Sequence, residues 1–186
     1  CPFELGLDLS LWCDVVVGDY NYLFDPVVSL KRFFETAGDY IFLIDEAHNL
    51  PDRARDMHSE SLLKSSFVHA RKLLGKGKSR LKTALGRVNA ALLEWPRRCE
   101  EEGGRAKTLM RPERDEELDR VLQRLCDPLE AWLDEHRDPT EAHAALLQLY
   151  FDIRAWLRVA ETFDDHFVLQ AAAFGSDLRL TQLCLD

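Results

Sequence analysis

The sequence predicts an α+β chain that is mostly α: a helical bundle attached to a partial α/β segment. Three observations predict it. Tyr40 to Asp45 is a short apolar run ended by an acid, and Asp14 to Gly18 (DVVVG) is a second short apolar run; each reads as a strand buried on both faces, as in a parallel sheet. From about Ser61 the apolar residues recur at helical spacing for some hundred residues. Near the end, two apolar runs flank Gly175-Ser176-Asp177, the composition of a tight hairpin. Apolar residues make up 46% of the chain and include four Trp, which suits a folded core.

Taken in order, the elements justify themselves locally. After the strand at 14–18, Asp25-Pro26 offers an N-cap followed by proline at the first turn, and Gly38 a stop. With the strand at 40–45 this makes a βαβ unit. Asn49-Leu50-Pro51 reopens a short helix through Met57. Leu63, Phe67, Ala70 and Leu74 then form one helical stripe, ended by Gly75 and Gly77. Leu81, Leu85, Val88, Leu92 and Trp95 form a second, stopped by Pro96, with a polar loop over 100–107. A third stripe runs from Leu118 to Leu133 and is expected to kink at Pro128. The fourth starts at Asp138-Pro139-Thr140-Glu141, a capping box, and carries Leu146, Tyr150, Ile153, Leu157 and Ala160. Three segments follow: 1–60 with α/β character, 61–164 as the bundle, and 165–186 as the hairpin.

Charge and cysteine usage narrow the classes of function. No apolar run approaches the ~20 residues that cross a bilayer, so no membrane is expected and the protein is read as soluble and cytoplasmic. Five scattered cysteines, an odd number with no CxxC pair, argue against a disulfide framework. The net charge is −9, yet residues 64–114 hold 14 Lys and Arg against five acids. A basic lobe in an acidic chain is the footprint of local phosphate contact, or else a solvated helix face. Lys64, Arg71, Lys72, Lys76, Lys78, Arg80 and Lys82 cluster on the first bundle helix, the next loop and the start of the second helix. They are expected to track the phosphates of single-stranded DNA without reading sequence.

The strand at 40–45 delivers Asp45-Glu46-Ala47-His48 at its carboxyl end, where parallel sheets handle ligands. Adjacent carboxylates there suit nucleotide chemistry: Asp45 to hold Mg²⁺ through water, Glu46 to polarise the water that attacks a γ-phosphate. A strand running into a capped turn is the plain alternative. No GxxxxGK[ST] loop occurs anywhere to cradle phosphates.

The chain opens Cys1-Pro2-Phe3, continues as CDVVVGDYNYLFDP from Cys13 to Pro26, reaches IDEAHNL, and closes with LRLTQLCLD from Leu178 to Asp186. This order resembles the iron–sulfur DNA helicases related to XPD and DinG in superfamily 2. The resemblance is specific over 1–60, recognisable over 165–186, and positional between them. It implies a partial RecA-like motor segment and an Arch-like helical insertion, with the hairpin returning the chain to the motor. It also implies an ATP-dependent 5′-to-3′ helicase that needs ATP, Mg²⁺ and a 4Fe–4S cluster, whose last ligand would be Cys1 and whose other three would lie upstream. Asp45 and Glu46 match the Mg²⁺ and hydrolysis acids, and His48 the residue coupling the nucleotide site to the motor.

Phe3 stands where relatives place an aromatic that stacks on a base, although Leu5-Gly6-Leu7-Asp8 departs from the basic residue usual there. Tyr20 and Tyr22 either stack on bases or close the sheet edge. As an excised piece of a larger helicase, the chain is expected to bind no cofactor, to hydrolyse no ATP by itself, and to need the rest of the motor in cis. Exposed strand edges would invite dimer formation. The competing readings are a non-enzymatic helical interaction module with an incidental DEAH, and a piece of a DEAD/DEAH-box RNA helicase.

Overall fold

A computed structural model describes residues 2–25, 28–30, 33, 38–77 and 79–185, with the side chains of residues 2 and 3 outside the description. The chain divides into two compact units, Cys1–His58 and Ser59–Asp186.

The first unit holds helix α1 (Pro2–Ser10), the single turn α2 (Asn21–Phe24), a 3₁₀ turn at Ala47–Asn49 and helix α3 (Leu50–His58). Pro51 sits in the first turn of α3, where its missing N–H costs nothing, as the sequence predicts. The two strands do not form. Residues 14–18 and 40–44 are irregular, and Val17, Ile41 and Leu43 are 94%, 91% and 95% exposed. The physical reason is that an inner parallel strand gains stability from hydrogen-bonded neighbours and from layers covering both faces. Among the described residues neither run has them. Asp25 Oδ1 does accept the Val28 N–H at 3.2 Å, the bond of an N-cap. Most of the helix expected there, including Pro26, lies outside the described residues.

The second unit is α+β and mostly α. Its sheet has the order β1-β4-β3-β2, with every pair antiparallel: β1 Glu60–Leu63, β2 Thr108–Arg111, β3 Phe167–Phe174 and β4 Asp177–Cys184. The β3–β4 hairpin forms as predicted, with Phe174 opposite Asp177. Its two-residue turn has Gly175 at φ +59° and no positive φ at Ser176, the pattern of a type II′ turn. Instead of standing apart from the bundle, this hairpin supplies the two central strands of the bundle's own sheet. Two further strands were not expected. Residues 60–63 form β1 rather than the start of a helix, with Leu62 buried and Ser61 exposed. Residues 108–111 follow the polar loop as β2, and both are four-residue edge strands too short for a period to register.

Helices α4 (Lys64–Leu73), α5 (Arg80–Leu92), α6 (Glu94–Glu102), α7 (Glu116–Glu135) and α8 (Glu141–Thr162) complete the unit. Pro96 does not end the second stripe; it lies in the first turn of α6, which an interruption at Leu93 separates from α5. Pro128 is buried inside a continuous α7. The cap of α8 is Thr140, whose hydroxyl accepts the His143 N–H at 3.1 Å, so the box expected from Asp138 does not form. Asp115 and Ser79 cap α7 and α5 in the same way.

The predicted stripes converge on one core. Phe67, Leu85, Leu122, Leu125, Leu129, Leu146, Ile153 and Trp156 meet Leu62, Leu169, Ala171, Leu178 and Leu180 of the sheet. Each large side chain so buried contributes roughly 1.5–3 kcal/mol. Trp95 Nε1 donates to Asp115 at 3.1 Å and Trp156 Nε1 to Asp119 at 2.9 Å, fixing α6 and α8 against the start of α7. Gln182 is the exception in this interior. It is 0% exposed, and neither end of its amide finds a partner among the described residues.

Around this core α4 packs on α5 and α8, α5 also packs on α7, and α7 packs on α8. The helices therefore form two packed layers, α4–α5 and α7–α8.

Candidate functional site

The DEAH residues occupy a turn rather than the tip of a strand. Glu46 adopts a left-handed backbone (φ 50°, ψ 36°), a conformation that costs a non-glycine residue free energy and clusters at functional turns. Asp45 supports it: its Oδ1 accepts the Glu46 N–H at 2.9 Å. Glu46 Oε2 lies 3.3 Å from His48 Nε2, and both side chains are mostly exposed. Two carboxylates and an imidazole thus stand together facing solvent.

No group of three or more His, Cys, Asp or Glu able to hold a metal occurs among the described residues. One or two carboxylates fit Mg²⁺ that keeps waters and is shared with nucleotide phosphates, so Asp45 and Glu46 are the residues that would hold it, supplying charge neutralisation at the phosphates. The described cysteines do not fit a 4Fe–4S cluster: Cys13 of the first unit is exposed, Cys99, Cys126 and Cys184 of the second are buried, and Cys1 lies outside the described residues. Burial pushes the Cys99 and Cys126 thiols up, away from the thiolate form that binds metal.

Tyr20 and Tyr22 flank the start of α2 and are half-buried, with the Tyr22 ring lying over Gly18. Phe3 belongs to α1, and its side chain is outside the description.

The basic window divides in two. Over 94–114 its cations are largely matched within the fold: Arg97 with Glu101 (3.6 Å), Arg98 with Glu94 (3.2 Å), Lys107 with Glu100 (2.8 Å), Arg111 with Glu102 (3.1 Å) and Arg114 with Asp119 (3.9 Å). Residues 64–87 hold eight Lys and Arg and no acid at all. Arg71, Lys72, Lys76, Arg80 and Arg87 make no ion pair among the described residues, and Lys78 lies outside them. The facing layer is the reverse, with 13 acids against five Lys and Arg over 116–165. By sequence the α4–α5 segment is therefore strongly positive and the α7–α8 segment strongly negative. The i,i+4 acid spacing around Arg97 and Arg98 was the signal that could have separated the two halves of the window beforehand.

Not every predicted cation is free for a ligand. The Lys82 ammonium donates to the carbonyls of Gly75 and Gly77, clamping the α4–α5 loop. The Arg71 guanidinium lies beside Gly86 of α5. Lys64 and Lys72 instead line an open groove of about 350 Å³ with Ser65, His69, Ser176 and Asp177. Nothing in the sequence joined residues 176 and 177 to α4. The contact arises because Asp177 Oδ1 accepts both the Ser65 and Leu178 N–H groups at 2.9 Å.

Comparison with known proteins agrees with the DEAH segment. Residues 1–67 match the DEAD_2 family, a stretch that contains the DEAH residues and ends within α4. Over this part the chain is similar to DEAD_2-type helicase segments of the XPD kind. It is 36% identical over 74 residues to a chicken (Gallus gallus) protein named Fanconi anemia group J protein homolog, covering 40% of this chain and 6% of that protein. It is 32% identical over 72 residues to the general transcription and DNA repair factor IIH helicase subunit XPD of Schizosaccharomyces pombe (39% of this chain, 9% of the relative). The XPD/RAD3 subunit of Saccharomyces cerevisiae is 32% identical over 50 residues (27% and 6%). The matches thus span less than a tenth of each relative's length. No helix among the described residues is long and apolar enough to cross a membrane.

Proposed function

We propose that this chain is part of an ATP-dependent DNA helicase that moves 5′ to 3′, and that its second unit serves as the Arch beside single-stranded DNA. Residues 1–60 contribute the Mg²⁺ and hydrolysis acids Asp45 and Glu46, with His48 coupling the nucleotide site to the motor. The helicase half of this reading rests on the DEAD_2 match around those residues. The observation that carries the DNA half is the α4–α5 layer, with eight cations and no acid, opposite an acidic layer that disfavours phosphate.

The exposed runs at 14–18 and 40–44 are read as strands awaiting the remainder of the motor sheet in cis. Without that cover the same residues would pair with a second copy. Lacking a phosphate-cradling loop, the 186-residue chain by itself is expected to hydrolyse no ATP. Cys1 would serve as a 4Fe–4S ligand only together with three cysteines from elsewhere in the parent protein.

The test is fluorescence anisotropy of the chain with a labelled dT15 strand across a salt series. Affinity should fall with salt and be lost when Lys72, Lys76 and Arg80 are reversed to Glu. Lys82 is left intact because it holds the loop. Absence of binding at low salt would remove the DNA half of the proposal and favour an acidic protein partner for this layer.

A further inference from the structure

The groove between α4 and the β3–β4 turn is the second basic feature of this layer, and its lining differs from that of the loop. Lys64, Val68 and Lys72 stand at i, i+4 and i+8 on one face of α4, so the two ammonium stems rise about 12 Å apart along the groove. His69 and the hydroxyls of Ser65 and Ser176 lie between and opposite them. We propose that this groove seats the sugar-phosphate backbone of single-stranded DNA, with Lys64 and Lys72 contacting phosphates and Ser65, His69 and Ser176 donating hydrogen bonds to the same oxygens. The proposal rests on the reading of the α4–α5 layer as a DNA surface and assigns the strand's seat within it.

Two observations favour the groove over the α4–α5 loop. The loop spends one of its charges internally, since Lys82 is bound to the Gly75 and Gly77 carbonyls. In the groove both lysines line an open space of about 350 Å³. Two acids lie near it, and neither blocks it. Asp177 accepts two backbone N–H groups and faces Lys64, so its charge is compensated. Glu141 of α8 stands 3.9 Å from His69 Nε2 and does not line the groove. Contacts to phosphate position a strand without reading its bases, so the seat would accept any sequence.

The experiment uses the whole chain and labelled dT15. Four proteins are compared: unchanged, Lys64→Gln with Lys72→Gln, Ser176→Glu, and Lys76→Gln with Arg80→Gln in the loop. Loss of two phosphate contacts should make the salt slope shallower by about 1.4 and weaken binding about tenfold at low salt. Ser176→Glu should weaken it comparably by placing a carboxylate in the groove, and the loop pair should have the smaller effect. Thermal melts should show all four fully folded at the assay temperature, which separates lost contacts from lost folding. If the unchanged chain binds with a salt slope and both groove variants bind equally well, the seat lies elsewhere and this inference falls while the DNA surface stands. If the unchanged chain does not bind at all, both fall.

Discussion

Replacing Gln182 by leucine should stabilise the second unit. Gln182 is 0% exposed on the core-facing side of β4, opposite Leu169 of β3 and Glu60 of β1, and neither its amide nitrogen nor its amide oxygen has a partner among the described residues. A buried donor or acceptor left unsatisfied costs about 1–3 kcal/mol, and an apolar side chain of similar size removes that cost while keeping the volume. Two such atoms are relieved at once, but leucine branches differently and repacking returns part of the gain. The expected net is about +1 to +3 kcal/mol, a rise in Tm of roughly 3–12 °C for a unit of this size. Urea unfolding followed by tryptophan fluorescence reads it directly: the midpoint should rise with an unchanged slope. A loss of 1 kcal/mol or more would mean that the amide has bonds which leucine surrenders, and the reasoning would fail.

Three further outcomes are expected. Gly103→Ala should destabilise by about 2–4 kcal/mol in the same urea assay, because its Cβ would stand 2.4 Å from the Cys99 carbonyl oxygen and 2.7 Å from the Thr108 nitrogen, both backbone atoms. Lys82→Met should leave the global midpoint nearly unchanged but speed hydrogen exchange at 75–80 about fivefold, the effect of losing about 1 kcal/mol of local bonding. Asp177 should carry a pH signature. Burial raises its pKa, but the bonds from Ser65 and Leu178 and the Lys64 charge outweigh burial and hold the carboxyl below the usual range. Its stabilisation is therefore complete above the ordinary carboxylate value of about 4 and is lost as pH falls through the lower folded value. Asp177→Asn should be less stable than the unchanged chain at pH 7 and converge with it near pH 2 in thermal melts.

What the sequence disclosed follows from periodicity. Stripes such as Leu81-Leu85-Val88-Leu92 repeat often enough to define both a helix and its buried face, and Gly175 marks its turn because few residues tolerate positive φ there. β1 and β2 went unseen because four residues offer two alternations at most. Pro96 and Asp138 misled because proline and aspartate suit either side of a helix boundary, and tertiary packing chose Thr140 as the cap. The strands expected at 14–18 and 40–45 were read from composition alone, whereas a strand exists only with neighbours. At the candidate site, the sequence named Asp45, Glu46 and the α4–α5 cations as candidates. The left-handed turn at Glu46, the internal use of Lys82 and the meeting of Ser176 with α4 depend on coordinates that no local pattern encodes.

The pairing of β1 with β4 has a consequence for how the chain folds as it is made. Ser59, at the head of β1, accepts the Cys184 N–H across 125 residues. During synthesis β1 emerges first of the four strands, yet its partner is the last to appear. The helices can form from local contacts as they leave the ribosome, whereas closing so long a loop must wait and carries a large entropic penalty. Until then β1 has neither edge paired, and truncation anywhere before β4 leaves it so. The sheet is thus a completion check on the bundle: the last strand made is the one that holds the first in place.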